Sequence, residues 1–142
     1  MKYTKVEIAA QQLEAAIRLF FQRDYVSALT LAGAAEEVLG VLARRAGNQA
    51  ALDWIVDFHS GDTDPNLTEG QKRKVISEVA NRARNQTKHA NDPNEVDVEV
   101  DLVHALQMLM RAIPMCPGLG IRLTPQMMEL FEWVAAHPEH TQ

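Results

Sequence analysis

Apolar residues recur at helical spacing through the N-terminal part of this chain, and this periodicity limits the fold more than any other feature. A first stripe consists of Val6, Ala9, Ala10, Leu13, Ala16, Ile17, Phe20 and Phe21. A second consists of Tyr25, Ala28, Leu29, Ala32, Ala35, Leu39 and Leu42. Steps of three and four residues place each set on one face of an α-helix. Since only a short segment separates the two stripes, we expect an antiparallel helical hairpin.

Capping residues set the limits of these two helices. Thr4 and Glu7 fit a capping box, so the first helix begins at about Thr4 and ends near Arg23. Asp24 is suited to be the N-cap of the second helix, which ends at Gly47, a residue favoured just after the last helical turn.

Four further helices are predicted along the rest of the chain. A short one covers Gln49 to Phe58, and one that begins at a second capping box, Thr68–Gln71, runs to about Asn91. The others cover about 102–113 and Pro125 to Ala136, and Val96, Val98 and Val100 alternate with acidic residues as in a short extended arm. The expected core includes Leu13, Ile17, Phe20, Ala32, Leu39, Val79, Leu106 and Leu109. These patterns predict one all-α domain over 1–142, an up-and-down bundle of five to six helices with its core in about 4–113 and an added loop and helix in 114–142.

Size and composition exclude several classes of protein. A chain of 142 residues is most simply one domain. The formal charge of −5 argues against wholesale coating of nucleic acid, and Cys116 alone forms no internal disulfide. With no run of about 18 apolar residues and no signal-peptide pattern, we expect a soluble cytoplasmic protein without a membrane partner.

Residues 84–89, with the sequence RNQTKH, carry the groups needed to hold a phosphate and move a proton. Asn85 and His89 lie four apart, on nearly the same helical face, whereas Arg84 and His89 point about 140° apart in a regular helix. The two residues reach one phosphate only if the helix unwinds between them or if two subunits pool their motifs. The alternative is a solvated helix end at which Lys88 and His89 complement the helix dipole.

Glu36 is a second candidate, because it lies on the apolar face of its helix between Leu29 and Leu39, whereas Glu37 points away. A buried carboxylate is costly unless it is paired. We therefore expect Glu36 to meet Arg84, Lys88 or His89. The alternative places Glu36 at the edge of the stripe, in contact with water.

Basic residues are concentrated in the predicted fourth helix. Six of the fourteen Lys and Arg residues are there: Lys72, Arg73, Lys74, Arg82, Arg84 and Lys88. This helix could bind an RNA backbone, chiefly through Lys72, Arg73, Lys74 and Arg82. Alternatively it is a solvated face balanced by the acidic residues of segment 92–101. No convincing metal-ligand spacing is present, so we expect neither a metal nor another cofactor.

The sequence from Arg84 to His89 resembles the signature of HEPN domains (higher eukaryotes and prokaryotes nucleotide-binding), an Arg followed after four to six residues by a His. The helix with Glu36 and Glu37, and the valine-rich segment before the fifth helix, match the surroundings of that signature over roughly residues 4–113. Asn85, Lys88 and His89 are also similar to the Asn-x-x-Lys-His core of small bacterial helical proteins.

The resemblance implies a helical bundle that forms a homodimer with the two motifs facing each other. It implies a metal-independent endoribonuclease of the toxin or RNA-processing type, in which Arg84 holds the phosphate, His89 transfers protons, and Asn85, Lys88 and Glu36 support them. A toxin would have an antitoxin as its protein partner. The alternative is a non-catalytic binding or scaffold module, in which the motif is a structural polar network or a nucleotide or peptide site.

Overall fold

The computed structural model describes residues 1–141 and is all-helical there, with no strand. Its α-helices are α1 (Lys5–Phe21), α2 (Tyr25–Arg45), α3 (Ala51–His59), α4 (Glu69–Ala80), α5 (Arg82–Lys88), α6 (Leu102–Ala112) and α7 (Pro125–Ala136). Short 3-10 turns follow α3, α6 and α7. The predicted helical class is therefore confirmed.

The hairpin of α1 and α2 forms as its capping residues predict. The Thr4 hydroxyl accepts from the Glu7 amide at 3.0 Å, and the Glu7 carboxylate accepts from the Thr4 amide at 2.7 Å. The Asp24 carboxylate accepts from the amide of Ser27 at 3.1 Å and caps α2. Gly47 follows α2 with φ of +79°, a conformation that glycine adopts without strain.

The core lies between α1, α2 and α6, and α7 covers the outer side of α1. Of the eight expected core residues, seven are buried: Leu13, Ile17, Phe20, Ala32, Leu39, Leu106 and Leu109. Met127 and Leu130 of α7 are fully buried as well, so this terminal helix packs against its own bundle.

The eighth expected core residue, Val79, is 59% exposed, so that prediction is wrong. The predicted fourth helix is interrupted at Asn81, where φ is −102° and ψ is 2°, and it becomes α4 and α5. Of these two, α4 packs mainly on α3, and α5 packs on α2. The interruption raises the number of α-helices within 1–141 to seven.

The valine-rich segment before α6 forms no strand within the described residues. Val96 is exposed, whereas Val100 packs against the core. By length and composition α2 is apolar enough to span a membrane, and half of its most apolar window is buried inside the bundle.

Candidate functional site

Glu36 is a buried carboxylate at the centre of a network of charged side chains. Its side chain is 5% exposed and accepts from two arginines on different helices. Arg84 Nη1 of α5 donates to Oε2 at 3.2 Å, and Arg111 Nη2 of α6 donates to Oε1 at 2.9 Å. The expectation that Glu36 is buried against a basic residue of the predicted fourth helix is confirmed, and Arg84 is that residue.

Sequence reasoning missed Arg111, the second partner. Arg111 lies opposite Leu102, Leu106 and Leu109 on α6, a position that by helical period alone favours exposure. The helix α6 is instead buried over a wide arc that includes Ala105, Met108, Arg111 and Ala112. The sequence carried no local signal for Arg111, because its burial depends on how α6 packs against α2.

Arg111 also ties the network to the interruption between α4 and α5. Its Nη1 donates to the carbonyl oxygen of Ala80 at 3.0 Å. The last carbonyl groups of a helix lack partners within the helix, and a buried guanidinium is a strong donor for them. Arg111 therefore holds the end of α4 beside Glu36.

Gly33 makes room for Arg84 on the surface of α2. A Cβ atom at Gly33 would lie 2.6 Å from Cδ and 2.8 Å from Cγ of Arg84. The aliphatic part of Arg84 thus passes directly over the backbone of α2 on its way to Glu36. Any side chain at position 33 would push it away.

The remaining motif residues do not join this network. His89 follows the last residue of α5 in an extended conformation and is exposed, and its backbone amide donates to the carbonyl of Asn85 at 3.0 Å. Among residues 1–141, no hydrogen bond or ion pair holds the His89 side chain. Asn85 is exposed too, and Lys88 lies 3.5 Å from Glu37 in an ion pair that is about half exposed.

Two of the four expected RNA-binding residues are engaged within the fold. Arg73 donates to Asp53 at 2.7 Å, and Lys72 lies 3.7 Å from Glu69. Lys74 and Arg82 are exposed. The basic residues of α4 and α5 therefore do not form one continuous basic surface, because some of them are paired with acidic residues.

Asp53 joins three helices. It accepts from Arg44 of α2 at 2.9 Å through each oxygen, and also from Arg73 of α4. Chiefly because of the hydrogen bonds from Arg44, the pKa of the Asp53 carboxyl lies well below its usual range, and the pKa of Arg44 is raised. This aspartate, which the sequence did not single out, fixes α3 and α4 to the bundle.

Arg111 also lines a large, mostly apolar groove. It has a volume of about 870 Å³ and is bounded by α2, α3, α6 and the C-terminal turn. A smaller cavity of about 330 Å³, beside α5, has Arg82, Arg84, Glu99 and His104 in its wall. Cavities of several hundred Å³ are the usual size of small-molecule sites.

No protein-family model, curated protein or solved structure matches this chain. Its chemistry must therefore be judged from the residues themselves. In a single chain the guanidinium of Arg84 is already bound to Glu36, and the His89 imidazole lies in solvent at the end of the same short helix.

Proposed function

We propose that this chain is a HEPN-like, non-catalytic helical module of the cytoplasm. It binds a partner or ligand and does not cleave RNA. The supporting observation is the pairing of Arg84 with the buried carboxylate of Glu36, next to Arg111. The residue that would have to hold a phosphate is thus part of the structural framework.

Releasing Arg84 to a phosphate would be costly. It would leave one oxygen of Glu36 without its partner in a buried position, and removing one partner of a buried ion pair costs about 3–5 kcal/mol. The side chain is also confined by Gly33 beneath it. Both facts favour Arg84 as a fixed structural residue.

The test is an RNA cleavage assay with the purified full-length chain in excess chelator. We expect the RNA to stay intact with both the wild type and His89→Ala. Cleavage by the wild type that disappears in His89→Ala would overturn the proposal.

The endoribonuclease is a second candidate because His89 and Asn85 are exposed side by side at the end of α5. Histidine titrates near neutral pH and suits transfer of a proton between a ribose 2′-OH and the leaving oxygen. A homodimer would be needed, so that one subunit supplies the phosphate-binding cation and its partner the histidine. A toxin of this kind would also have an antitoxin partner.

This second candidate has its own measurable consequences. Arg84→Ala and His89→Ala would each abolish cleavage, chelator would have no effect, and activity would follow a bell-shaped pH profile. Lys74→Ala and Arg82→Ala would weaken RNA binding and its salt dependence without changing the chemical step, because both side chains are exposed. A monomeric mass at micromolar concentration would contradict it.

A further inference from the structure

Two aromatic side chains of α3 are exposed beside the groove. Trp54 is 59% exposed and Phe58 is 67% exposed, and their rings are stacked with centroids 5.4 Å apart. Trp54 lines the groove, whereas Phe58 lies outside its lining. Exposed aromatic residues next to an apolar recess are typical of surfaces that bind another protein, where they become buried.

The groove beside this pair has few charged side chains. Its apolar wall includes Ala51, Ile55, Leu106, Met110 and Pro114. Its lining contains two charged side chains of opposite sign, Arg111 and Glu139, and Arg111 is already paired with Glu36. Asp57 is close by as well, because it accepts from Gln49 of the lining at 2.7 Å. Since acidic and basic side chains are mixed here, neither a strongly acidic nor a strongly basic partner is favoured.

The occupant must be larger than a small molecule to cover both features. A small ligand in the groove would leave Phe58 in water, because Phe58 is not part of the lining. A protein surface with its own protruding aromatic side chain and its own recess would cover both. This chain presents that combination on one face, so the face is suited to a contact with itself about a two-fold axis.

The charges of the face also permit such a contact. In a two-fold contact the same surface faces itself, so a cluster of one sign would repel its own copy. The mixed charges around the groove avoid this repulsion.

The exposed aromatic area is suited to a weak dimer. A fully buried aromatic side chain contributes about 150–250 Å², so the exposed parts of Trp54 and Phe58 in two copies amount to on the order of 400–600 Å². Specific interfaces bury about 1,200–2,000 Å² in total. The walls of the groove must therefore contribute as well, and we expect an interface at the small end of that range.

We propose that two copies of this chain associate through this face, with Phe58 of one copy inserted in the groove of its partner and Trp54 at the edge of the contact. The inference does not rest on the proposed function, since it concerns α3 and the groove and not the pairing of Arg84. It identifies the surface of a homodimer by its own residues.

The direct test is the mass of the wild-type chain, measured by sedimentation velocity over a dilution series through the micromolar range. We expect the mass of two chains at the upper end and of one chain on dilution. A mass of one chain at every concentration would overturn the inference. A mass that grows beyond two chains would contradict the two-fold arrangement.

The two aromatic residues test the surface. Trp54→Ala and Phe58→Ala should each weaken dimerisation at least tenfold, because each substitution removes a side chain from both copies. Tyr3→Ala is the control, since Tyr3 is a half-exposed aromatic residue outside the groove lining, and it should leave dimerisation within twofold. The three side chains are mostly exposed, so the variants should keep the helical content of the wild type in circular dichroism. Equal dimerisation of all three variants would place the contact on another surface.

Gln107 tests the absence of a charge preference. It is exposed and lines the groove. Gln107→Glu and Gln107→Lys should both weaken dimerisation, because either would place an unpaired charge in an apolar contact. Strengthening by one sign and weakening by the other would indicate a charged occupant and overturn the inference.

Phe58→Ala also tests whether the partner fills the groove. This substitution leaves the lining of the groove intact and removes the side chain that we place in it. At the same chain concentration, monomeric Phe58→Ala should therefore bind more of the apolar dye Nile red than the dimeric wild type. Equal dye binding would show that the groove stays open in the dimer and would overturn the placement of Phe58.

The two proposals fail separately. RNA cleavage that depends on His89 overturns the binding module whatever the mass of the chain. Intact RNA together with a monomeric mass overturns only the dimer contact.

Discussion

The burial of Glu36 and its need for a cationic partner could be predicted from its position on a helix, but its full set of partners could not. Its place on the apolar stripe of α2 predicted burial, and burial predicted a cation, because an unpaired buried charge is costly. The sequence left Arg84, Lys88 and His89 as candidate partners, and the structure shows that Arg84 is the one that binds Glu36. Arg111 could not be identified in this way, since periodicity describes each helix alone and does not show which helices enclose it.

Replacing Glu36 tests the buried network. Glu36→Ala leaves the guanidinium groups of Arg84 and Arg111 without their counter-charge, and we expect it to lower the free energy of unfolding by about 3–5 kcal/mol. The matched control is Glu37→Ala, whose half-exposed pair with Lys88 should contribute under about 1 kcal/mol. Urea unfolding measures both, and equal effects would contradict the assigned role of Glu36.

The ion pairs of Asp53 predict how stability changes with pH. A carboxyl group whose pKa is lower in the folded state stabilises that state above its unfolded pKa, about 3.9, and this contribution is lost as pH falls through the folded value. The lowered pKa of Asp53 therefore predicts falling stability below about pH 4. Asp53→Asn should reduce the stability at neutral pH by about 1–3 kcal/mol and flatten the acid limb of the curve. An unchanged acid limb in urea unfolding from pH 2 to pH 7 would contradict this.

The interruption at Asn81 explains why one continuous fourth helix was predicted where the structure has α4 and α5. Val75, Ile76, Val79, Ala80 and Ala83 follow one helical period, so the sequence favoured a continuous helix with one buried face. In the structure Ile76 is buried and Val79 is exposed, the helix is interrupted at Asn81, and Arg111 binds the carbonyl of Ala80. That donor comes from a distant part of the sequence, so the local pattern contains no sign of it.

Two glycines of α2 test how closely α5 packs on it. Gly33→Ala would place a methyl group 2.6 Å from Cδ of Arg84, whose guanidinium is held by Glu36, so either Arg84 or the two helices must shift. We expect a loss of about 1–3 kcal/mol and faster amide exchange in α5. Gly40→Ala is the control, because its Cβ would lie at an ordinary 3.6 Å from Ala50 and alanine favours the helix. Equal stabilisation by both substitutions would show that Arg84 moves aside without cost.

Across the whole molecule, the hairpin and its caps were predictable because their signals are local in sequence. The partner of the C-terminal helix was not, since its apolar arc suited either its own core or a second chain. In the structure α7 packs on α1, so a homodimer, which remains a prediction, would have to use another surface. Light scattering at micromolar concentration measures the mass directly, and we expect that of two chains.

Adjacent methionines of α7 test whether this helix belongs to the fold. Met127 is fully buried, whereas Met128 is 46% exposed. If α7 completes the core of a single chain, Met127→Ala should lower the free energy of unfolding by about 2–5 kcal/mol through the cavity it leaves. Met128→Ala should change it by no more than about 0.5 kcal/mol, and neither effect should depend on protein concentration. A loss that grows on dilution would instead place Met127 in a contact between chains.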